Sequence, residues 1–498
     1  MNENAKPFNE RRLFAASCMS LIATSVSFAV VGDIMGDLKS EYLLTNEDVG
    51  WIGGAQLWGF PLTIFVFGAI CDVVGMKNLF RLAFLGHLIA SLVMIFSTGF
   101  WGFFFGALGM GMANGLVEAA GNPLVASIYP DKKTEKLNQF HVWFPGGIAI
   151  GGVLCYLLAT NASPFSGYAG LWKIKLCLII VPTLIYGVMF FGQKLPVTER
   201  VESGVTFGQM FASTFSRPLF WILMVCMMMT ATVELGPNRW IPAVLGAAGM
   251  SGILILAWIN GLMGVMRQFA GPVVHRLSPT GILLASSVIS GVGLWWLSYA
   301  ESLPVAFASS TVFAIGICYF WPTMLGVMSE RVPKGGALAL GLLGGTGALT
   351  VGLFAVPIMG KVGDEIGHEK IAAVEARAVL DSAVEVLPAK ASAAEGETGQ
   401  DIVAATAQIQ GVIDEASSDG ELPPVKTAMA LRTAALYGGD EIKERAETLL
   451  SPADNYGGRR SFRYISTLAI ALTALFGLLF IRDRIRGGYK AEKIGGEQ

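Results

Sequence analysis

Long apolar runs separated by short polar connections make up most of this chain. Runs of roughly 20 or more mostly apolar residues recur twelve times, and a helix of about that length crosses the hydrocarbon core of a bilayer. We therefore predict an all-α membrane protein of twelve transmembrane helices, with spans near 14–40, 49–70, 79–98, 101–128, 139–160, 171–192, 218–245, 251–274, 280–299, 304–328, 336–359 and 462–481.

Two polar segments interrupt this pattern. Residues 193–217 separate six spans from the next six, and residues 361–460 contain 18 Asp or Glu against 10 Lys or Arg. The second segment is rich in alanine, with apolar residues at helical spacing, so we expect a small helical extramembrane insertion between helices 11 and 12. The predicted parts are a first six-helix half at 1–192, a cytoplasmic linker at 193–217, a second half at 218–360 and 461–485, an acidic external insertion at 361–460, and a cytoplasmic tail at 486–498.

Basic residues indicate the orientation. Lys and Arg are concentrated in the short loops on the same side as the two termini, and the opposite short loops carry few of them. The positive-inside rule therefore places both termini in the cytoplasm and the acidic insertion outside. The expected location is the plasma (inner) membrane.

Composition excludes several classes of protein. Of 498 residues 53% are hydrophobic and 14% charged, with a mean hydropathy of +0.58, whereas about a quarter of a soluble domain is charged. The sequence contains no phosphate-binding loop, nucleophile elbow or zinc-protease motif. The six cysteines lie in or beside apolar runs, and the four histidines are widely separated. We therefore expect no enzymatic activity, metal, cofactor or disulfide framework, and no nucleic-acid partner.

Two acidic side chains lie inside predicted spans. Glu118 is in the fourth span and Asp33 is in the first. A charge at the bilayer centre costs about 2.5–3.5 kcal/mol on insertion scales, so such residues persist where they face a cavity, find a partner or bind a proton. We predict that Asp33 and Glu118 load and release protons. The alternative is a structural carboxylate satisfied by serine, asparagine or backbone donors.

Amides, a histidine and aromatic side chains in other spans could bind a polar solute. Sugars are bound by planar polar groups and by aromatic faces, and the candidates of this kind are Asn122, Asn138, His141, Glu234, Asn238, Trp240, Asn260, Tyr319 and Trp321. For each aromatic residue the alternative is helix packing or contact with lipid. For Glu234 the alternative is an external ion pair with Arg239.

Two loops at matching positions carry similar motifs. After the second span Gly68, Asp72, Gly75 and Lys77 resemble the signature of the major facilitator superfamily, although Val73 stands where the family usually has arginine. After the eighth span Gly271 and Arg276 match, while His275 replaces the usual acid. The resemblance implies two related six-helix halves and a gating function for these loops. A tight, charged structural turn is the alternative.

One branch of that superfamily is a closer match. The run Glu118-Ala-Ala-Gly-Asn-Pro, the pair Leu137-Asn138 and the pair Asp33-Ile34 resemble the fucose–galactose–glucose proton symporters. In that branch the two acids serve proton coupling and sugar binding, which implies the same roles for Asp33 and Glu118. Phe144 occupies a position that is polar in the fucose carrier. The resemblance does not extend to 361–460.

The expected function is secondary active transport. We predict proton-coupled uptake of a sugar or similar small polar solute by alternating access, with the solute, protons and the lipid bilayer as partners. The insertion at 361–460 is expected to modulate access or to contact an external partner. The alternatives are an exporter of small or apolar compounds, and a non-transporting membrane sensor that uses the insertion.

Overall fold

The computed structural model describes residues 8–42, 46–161, 163–165, 167–168, 170–246, 248–250, 252–394, 397–415 and 422–494. Nearly all of them are helical. The α-helices are α1 (Glu10–Glu41), α2 (Asn46–Val74), α3 (Met76–Phe96), α4 (Phe100–Ile128), α5 (Lys133–Phe140), α6 (Trp143–Ala159), α7 (Leu171–Phe190), α8 (Glu199–Glu202), α9 (Phe207–Phe215), α10 (Pro218–Gly246), α11 (Gly252–Gln268), α12 (Ala270–Leu277), α13 (Pro279–Leu297), α14 (Leu303–Ile317), α15 (Phe320–Arg331), α16 (Gly336–Thr350), α17 (Val356–His368), α18 (Ala373–Ala393), α19 (Glu397–Asp414), α20 (Pro424–Tyr437) and α21 (Asp440–Ile485).

Eleven helical stretches in the described part of the chain are long and apolar enough to cross a membrane. The protein is therefore a multi-pass membrane protein. The predicted span at 251–274 is not among the eleven, and the structure divides it into α11 and α12. At 1.5 Å per residue the 17 residues of α11 reach about 26 Å, slightly less than the hydrocarbon thickness.

Several predicted spans are interrupted near a proline. The breaks between α5 and α6, α11 and α12, and α14 and α15 are followed by Pro145, Pro272 and Pro322. A π-helical turn, Val351–Ala355, joins α16 to α17, and Pro357 follows it. Proline has no N–H and cannot bond to the carbonyl four residues before it. Each break therefore leaves backbone carbonyls that need other donors.

The membrane body has separate apolar cores. Two clusters lie mainly among the helices before residue 190, and one large cluster joins α10 to α16 with α21. The first group of helices meets the second where α2 packs along α16. There Gly68 and Gly341 face each other, and an added Cβ at Gly68 would lie 2.9 Å from the Gly341 Cα. Glycine is required at this contact because the two backbones approach so closely.

The segment after α17 folds around an apolar core of its own. Helices α18, α19, α20 and the first turns of α21 bury Leu380, Leu387, Ile409 and Leu431 against one another. Helix α21 then continues without interruption into the last apolar stretch of the chain. Glycine, serine and proline at 391–400 and 417–424 favour breaks between helices, and these stretches fall partly on 395–396 and 416–421, which lie outside the described residues.

The junction between this segment and the membrane body is polar and tightly packed. His368 at the end of α17 is 1% exposed, and its Nε2 lies 3.2 Å from the Asp454 Oδ1 on α21. One guanidinium nitrogen of Arg432 on α20 donates to the same oxygen at 2.8 Å. The Asn455 Nδ2 donates to the Val244 carbonyl at 2.7 Å. Residues from about 453 onward therefore pack against the membrane body.

Candidate functional site

Glu118, Asn122 and His141 form a buried cluster. Glu118 and Asn122 are four residues apart and lie on one face of α4. The Asn122 Nδ2 donates to the Glu118 Oε2 at 2.5 Å, and the His141 Nε2 lies 3.0 Å from the Asn122 Oδ1. The His141 Nε2 is also 3.9 Å from the Glu118 Oε2. These three side chains are 2–5% exposed, so a carboxyl, an amide and an imidazole share one enclosed site.

Arg267 connects this cluster to the later helices. Its Nη2 donates to the Glu234 Oε1 at 2.8 Å, so a buried cation on α11 pairs with a buried carboxylate on α10. Its Nη1 donates to the His141 carbonyl at 3.1 Å, and its Nε donates to the Cys318 carbonyl at 2.5 Å. Glu234 is therefore paired with Arg267, and the alternative of an external Glu234–Arg239 ion pair is wrong.

Two helix breaks explain why Arg267 makes these backbone contacts. His141 and Cys318 stand four residues before Pro145 and Pro322, so neither carbonyl can receive the usual helical hydrogen bond. A carbonyl at membrane depth without a donor costs several kcal/mol. The Arg267 guanidinium satisfies both carbonyls while its charge is balanced by Glu234. One side chain thereby joins α5, α11 and α14, together with α10.

Three buried oxygens around this site accept no hydrogen bond from the described residues. They are Oε2 of Glu234, Oδ1 of Asn138 and Oδ1 of Asn238. The Asn138 Nδ2 donates to the Thr134 carbonyl at 2.9 Å and to the Thr323 Oγ1 at 3.2 Å. Free carboxylate and amide oxygens of this kind can accept hydrogen bonds from hydroxyl groups.

Among the other predicted solute-binding residues, two asparagines bond within their own helix and three aromatic residues contact other helices. The Asn238 Nδ2 donates to the Glu234 carbonyl at 2.7 Å, and the Asn260 Nδ2 to the Leu256 carbonyl at 2.9 Å. The remaining three are aromatic residues of the later helices. The Tyr319 hydroxyl donates to the Met266 carbonyl, and the Trp240 Nε1 donates to the Val356 carbonyl after the π-helical turn. The Trp321 ring lies against Gly344 and Gly347 on α16.

Asp33 lies in a different environment from Glu118. Its side chain is 39% exposed, and its Oδ2 pairs with the Lys175 Nζ on α7 at 2.6 Å. Asp37 contacts the same ammonium at 3.3 Å. Asp33 and Asp37 therefore share a cation, whereas Glu118 has no lysine or arginine within ion-pair distance among the described residues. Lys175 was not predicted as this shared partner.

The predicted gating residues contact other parts of the chain. The Asp72 carboxylate accepts from Arg200 at 2.6 Å and from the Thr198 Oγ1 at 2.7 Å, both in the 193–217 segment. Gly75 precedes α3 with a φ of +83°, a left-handed conformation that favours glycine. Lys77 is half-buried.

The second motif lies against α5. Gly271 faces the Glu135 side chain, and the His275 Nε2 lies 3.3 Å from the Glu135 Oε2. Arg276 is exposed at the end of α12. The two motif loops therefore lie close to charged groups contributed by the linker and by α5.

A second buried polar cluster was not predicted from the sequence. Ser27, Gln56, His87, Asn114 and Tyr186 come from five helices of the first part of the chain. The His87 ring contacts the Tyr186 hydroxyl at 3.0 Å and the Asn114 Oδ1 at 2.8 Å. The Asn114 and Gln56 amides donate to the Ser27 Oγ at 2.9 and 3.2 Å. Asn114 lies four residues before Glu118, so a polar stripe on α4 was the signal available in the sequence.

A multi-pass helical membrane body with buried charged and polar groups where its parts meet is typical of membrane transporters. The sequence model of the Major Facilitator Superfamily matches residues 13–357, well over half of the 498-residue chain. The chain belongs to the major facilitator superfamily. The predicted family is therefore confirmed.

Curated relatives are distant. A Bacillus subtilis (strain 168) protein provisionally named a niacin/nicotinamide transporter is 21% identical over 373 residues, covering 70% of this chain and 90% of the relative. A gentisate transporter of Corynebacterium glutamicum is 22% identical over 286 residues, covering 51% of this chain and 62% of the relative. Both names describe transporters, which agrees with the expectation that the chain is not a typical enzyme.

Solved structures share the fold. The fucose/proton symporter of E. coli matches with a TM-score of 0.58 at 14% identity, over 71% of this chain and 92% of the symporter. A bacterial homologue of the human lysosomal transporter Spinster, inward-facing and unoccupied, matches with a TM-score of 0.62 at 15% identity. That match covers 98% of this chain and all of the homologue.

Proposed function

We propose that the chain is a proton-coupled secondary transporter of a small polar solute, working by alternating access, with Glu118 as the proton carrier. The observation that carries this proposal is the environment of Glu118. The side chain is 5% exposed and contacts an amide and an imidazole, with no lysine or arginine within ion-pair distance among the described residues. A carboxylate at membrane depth without a cation is costly, whereas a protonated carboxyl is tolerated.

Three other acids of the membrane body differ from Glu118 because each has a basic partner, and this difference supports the assignment. Glu234 pairs with Arg267, Asp33 with Lys175, and Asp72 with Arg200. Each of these carboxylates has a basic side chain within ion-pair distance. Glu118 has no lysine or arginine at that distance among the described residues, so binding a proton is the available way to neutralise it. We propose for Asp33 a secondary role in proton entry, controlled by its pairing with Lys175.

The same proposal includes the topology. Residues 1–192 and 218–360 with 461–485 are two six-helix halves of a twelve-span transporter, α11 and α12 together forming the eighth span. Residues 193–217 are the cytoplasmic linker, 361–460 the external insertion and 486–498 the cytoplasmic tail. Both termini are cytoplasmic in the inner membrane. The basic loops of the sequence and the separate core of the insertion support this arrangement.

The proposed solute site lies between Glu118 and Glu234. Its binding residues are Asn122, Asn138, His141, Glu234, Asn238, Trp240, Asn260, Tyr319 and Trp321, the nine predicted from the sequence. The three unpaired oxygens near this site suit the hydroxyl donors of a sugar. The gating residues of this proposal are Gly68, Asp72, Gly75, Lys77, Gly271 and Arg276, whose loops contact the linker and α5.

A second solute class is a small organic acid. The buried Arg267 guanidinium could pair with a carboxylate, and the names of the two curated relatives refer to niacin and gentisate. Glu234 already pairs with Arg267 in this structure. An anionic solute would therefore have to replace Glu234, which makes the neutral polar solute the first candidate.

Proteoliposome transport tests both the mechanism and the solute. Uptake of labelled fucose, galactose, glucose, xylose, nicotinate and gentisate is measured with and without an imposed pH gradient. Once a solute is found, Glu118→Gln should abolish uphill accumulation while retaining counterflow, because the amide can bind a hydroxyl but cannot carry a proton. Asp37→Asn, a matched exposed acid, should transport normally. Normal uphill uptake by Glu118→Gln would refute the proton-carrier assignment.

A further inference from the structure

A groove on the side of the membrane body has an apolar wall and a basic end. It has a volume of about 400 Å³ and runs between α13 and the last turns of α21. Leu284, Val288 and Phe480 contribute to the wall, and Arg276 and Arg484 lie where α13 begins and α21 ends. The wall belongs to helices of the length and composition that cross a membrane. We therefore expect lipid chains beside this groove.

The two arginines are available for an anion. Within the described residues neither guanidinium has an ion-pair partner, and Arg484 lies 5.3 Å from the centroid of the Phe480 ring. The neighbouring acid, Asp483, is 6% exposed and bonds to Arg331 at 2.7 Å and to Thr280 at 3.0 Å. The basic end of the groove thus has two positive charges that no nearby carboxylate offsets.

We propose that this groove binds one anionic phospholipid, with its phosphate on Arg276 and Arg484 and an acyl chain along Leu284, Val288 and Phe480. Arginine binds phosphate oxygens through paired N–H donors. Basic pockets at the ends of transmembrane helices bind anionic headgroups. A zwitterionic lipid carries a cationic group beside its phosphate, so it would offset the two arginine charges less fully than an anionic lipid, and a free anion would leave the apolar wall without a partner. Charge and shape together therefore favour an anionic lipid.

Native mass spectrometry of the full chain in detergent tests the proposal. Dioleoyl phosphatidylglycerol or dioleoyl phosphatidylcholine is titrated, and bound lipid per chain is counted. We expect one phosphatidylglycerol to bind in preference to phosphatidylcholine. Arg276→Gln and Arg484→Gln should each weaken phosphatidylglycerol binding about fivefold. The double variant should lose the preference for phosphatidylglycerol over phosphatidylcholine. Arg482→Gln, an exposed arginine on the same helix that does not line the groove, is the matched control.

Two further measurements separate lipid from other occupants. Ala285→Trp fills the apolar part of the groove without changing a charge, and should reduce phosphatidylglycerol binding. Inorganic phosphate at millimolar concentration should not displace the lipid. The proposal would be overturned if the wild type and the double variant retained phosphatidylglycerol equally, or if Arg482→Gln lost as much of it as the groove variants. Unchanged phosphatidylglycerol binding in Ala285→Trp, or displacement of the lipid by phosphate alone, would also overturn it. Circular dichroism confirms that every variant is folded.

Discussion

At the scale of single residues, the buried arginine explains how an interrupted helix bundle is stabilised. Pro145 and Pro322 leave the carbonyls of His141 and Cys318 without helical donors, and the Arg267 guanidinium donates to both. Its charge is balanced by Glu234. The same side chain therefore satisfies backbone groups of helices from both parts of the chain and sets the position of His141, which contacts Asn122 beside the proposed proton carrier.

A double-mutant cycle should measure this ion pair. Breaking a buried pair from one side costs about 3–5 kcal/mol, because the remaining charge has no partner. We expect Arg267→Leu and Glu234→Leu each to lower the midpoint of thermal unfolding in detergent by several degrees. The double variant should recover part of the loss but not all, since the two carbonyls stay without donors. Additive losses in the double variant would contradict a direct pairing.

The polar cluster around His87 permits a prediction independent of transport chemistry. His87 and Asn114 are fully buried, and each has at least two hydrogen-bonding partners. A buried polar group left without its partner costs about 1–3 kcal/mol. His87→Leu should therefore lower the thermal midpoint of the detergent-solubilised protein. Asn78→Leu, an exposed residue on the same helix, should leave it unchanged, and an equal effect of the two substitutions would refute the prediction.

The sequence predicted the members of the buried Glu118 cluster, but it did not predict which basic side chains pair with the acids of the membrane body. Glu118, Asn122 and His141 were predicted from their position in apolar spans, and the structure brings them together. Arg267, Lys175 and Arg200 were missed as partners, because ion pairs between distant helices depend on how those helices cross. The prolines at 145 and 322 were visible in the sequence, but the donor that satisfies the carbonyls they free comes from α11.

At the scale of elements, hydropathy predicted the long apolar helices and could not predict where they break. The span at 304–328 is divided into α14 and α15, and the span at 336–359 contains a π-helical turn. Both stretches remain apolar throughout, so sliding-window composition does not register the interruptions. Discontinuous helices free backbone groups inside the bilayer, and such groups are tolerated where they line a cavity or are buried in protein.

The segment between α17 and α21 should be removable as a unit. Its core joins α18, α19, α20 and the start of α21. His368 and Asp454 lie at its two ends, and the His368 Nε2 is 3.2 Å from the Asp454 Oδ1. Replacing residues 372–450 with a short Gly/Ser linker should leave a monodisperse protein in mild detergent. Deleting only 373–415 is the matched control, and it should aggregate because it exposes the apolar faces of α20 and α21. Aggregation of the full deletion would show that the segment is part of the membrane fold.

The proposed topology places the linker and this segment on opposite sides of the membrane. Single cysteines at Glu202 and at Glu444, both exposed, can be introduced into a cysteine-free variant. In intact cells an impermeant maleimide should label only the position at 444, and permeabilisation should add labelling at 202. Labelling of both positions in intact cells would refute the twelve-span arrangement.

Contacts at the end of the bundle where the linker lies join the early helices to the late ones. The Thr134 Oγ1 and backbone N–H on α5 donate to the Glu330 Oε1 on α15 at 2.8 and 3.0 Å. The Lys133 Nζ lies 2.5 Å from the Glu199 Oε2 in the linker. Alternating access requires a transporter to open each end in turn. Under the proposed alternating access, these contacts must separate when this end opens.

Cross-linking this end should stop transport. In a cysteine-free background, Thr134→Cys with Glu330→Cys is oxidised or joined by a short bifunctional thiol reagent, and uptake is measured before and after reduction. We expect uptake to fall to the background of empty liposomes and to recover on reduction, because the link holds α5 against α15. The matched control joins Arg331→Cys to Asp483→Cys, whose wild-type side chains lie 2.7 Å apart within the later helices. That pair should cross-link without blocking uptake, since the two helices are proposed to move as one body. Full transport by the cross-linked Thr134–Glu330 variant would show that this end stays closed throughout the cycle, and alternating access through it would be refuted.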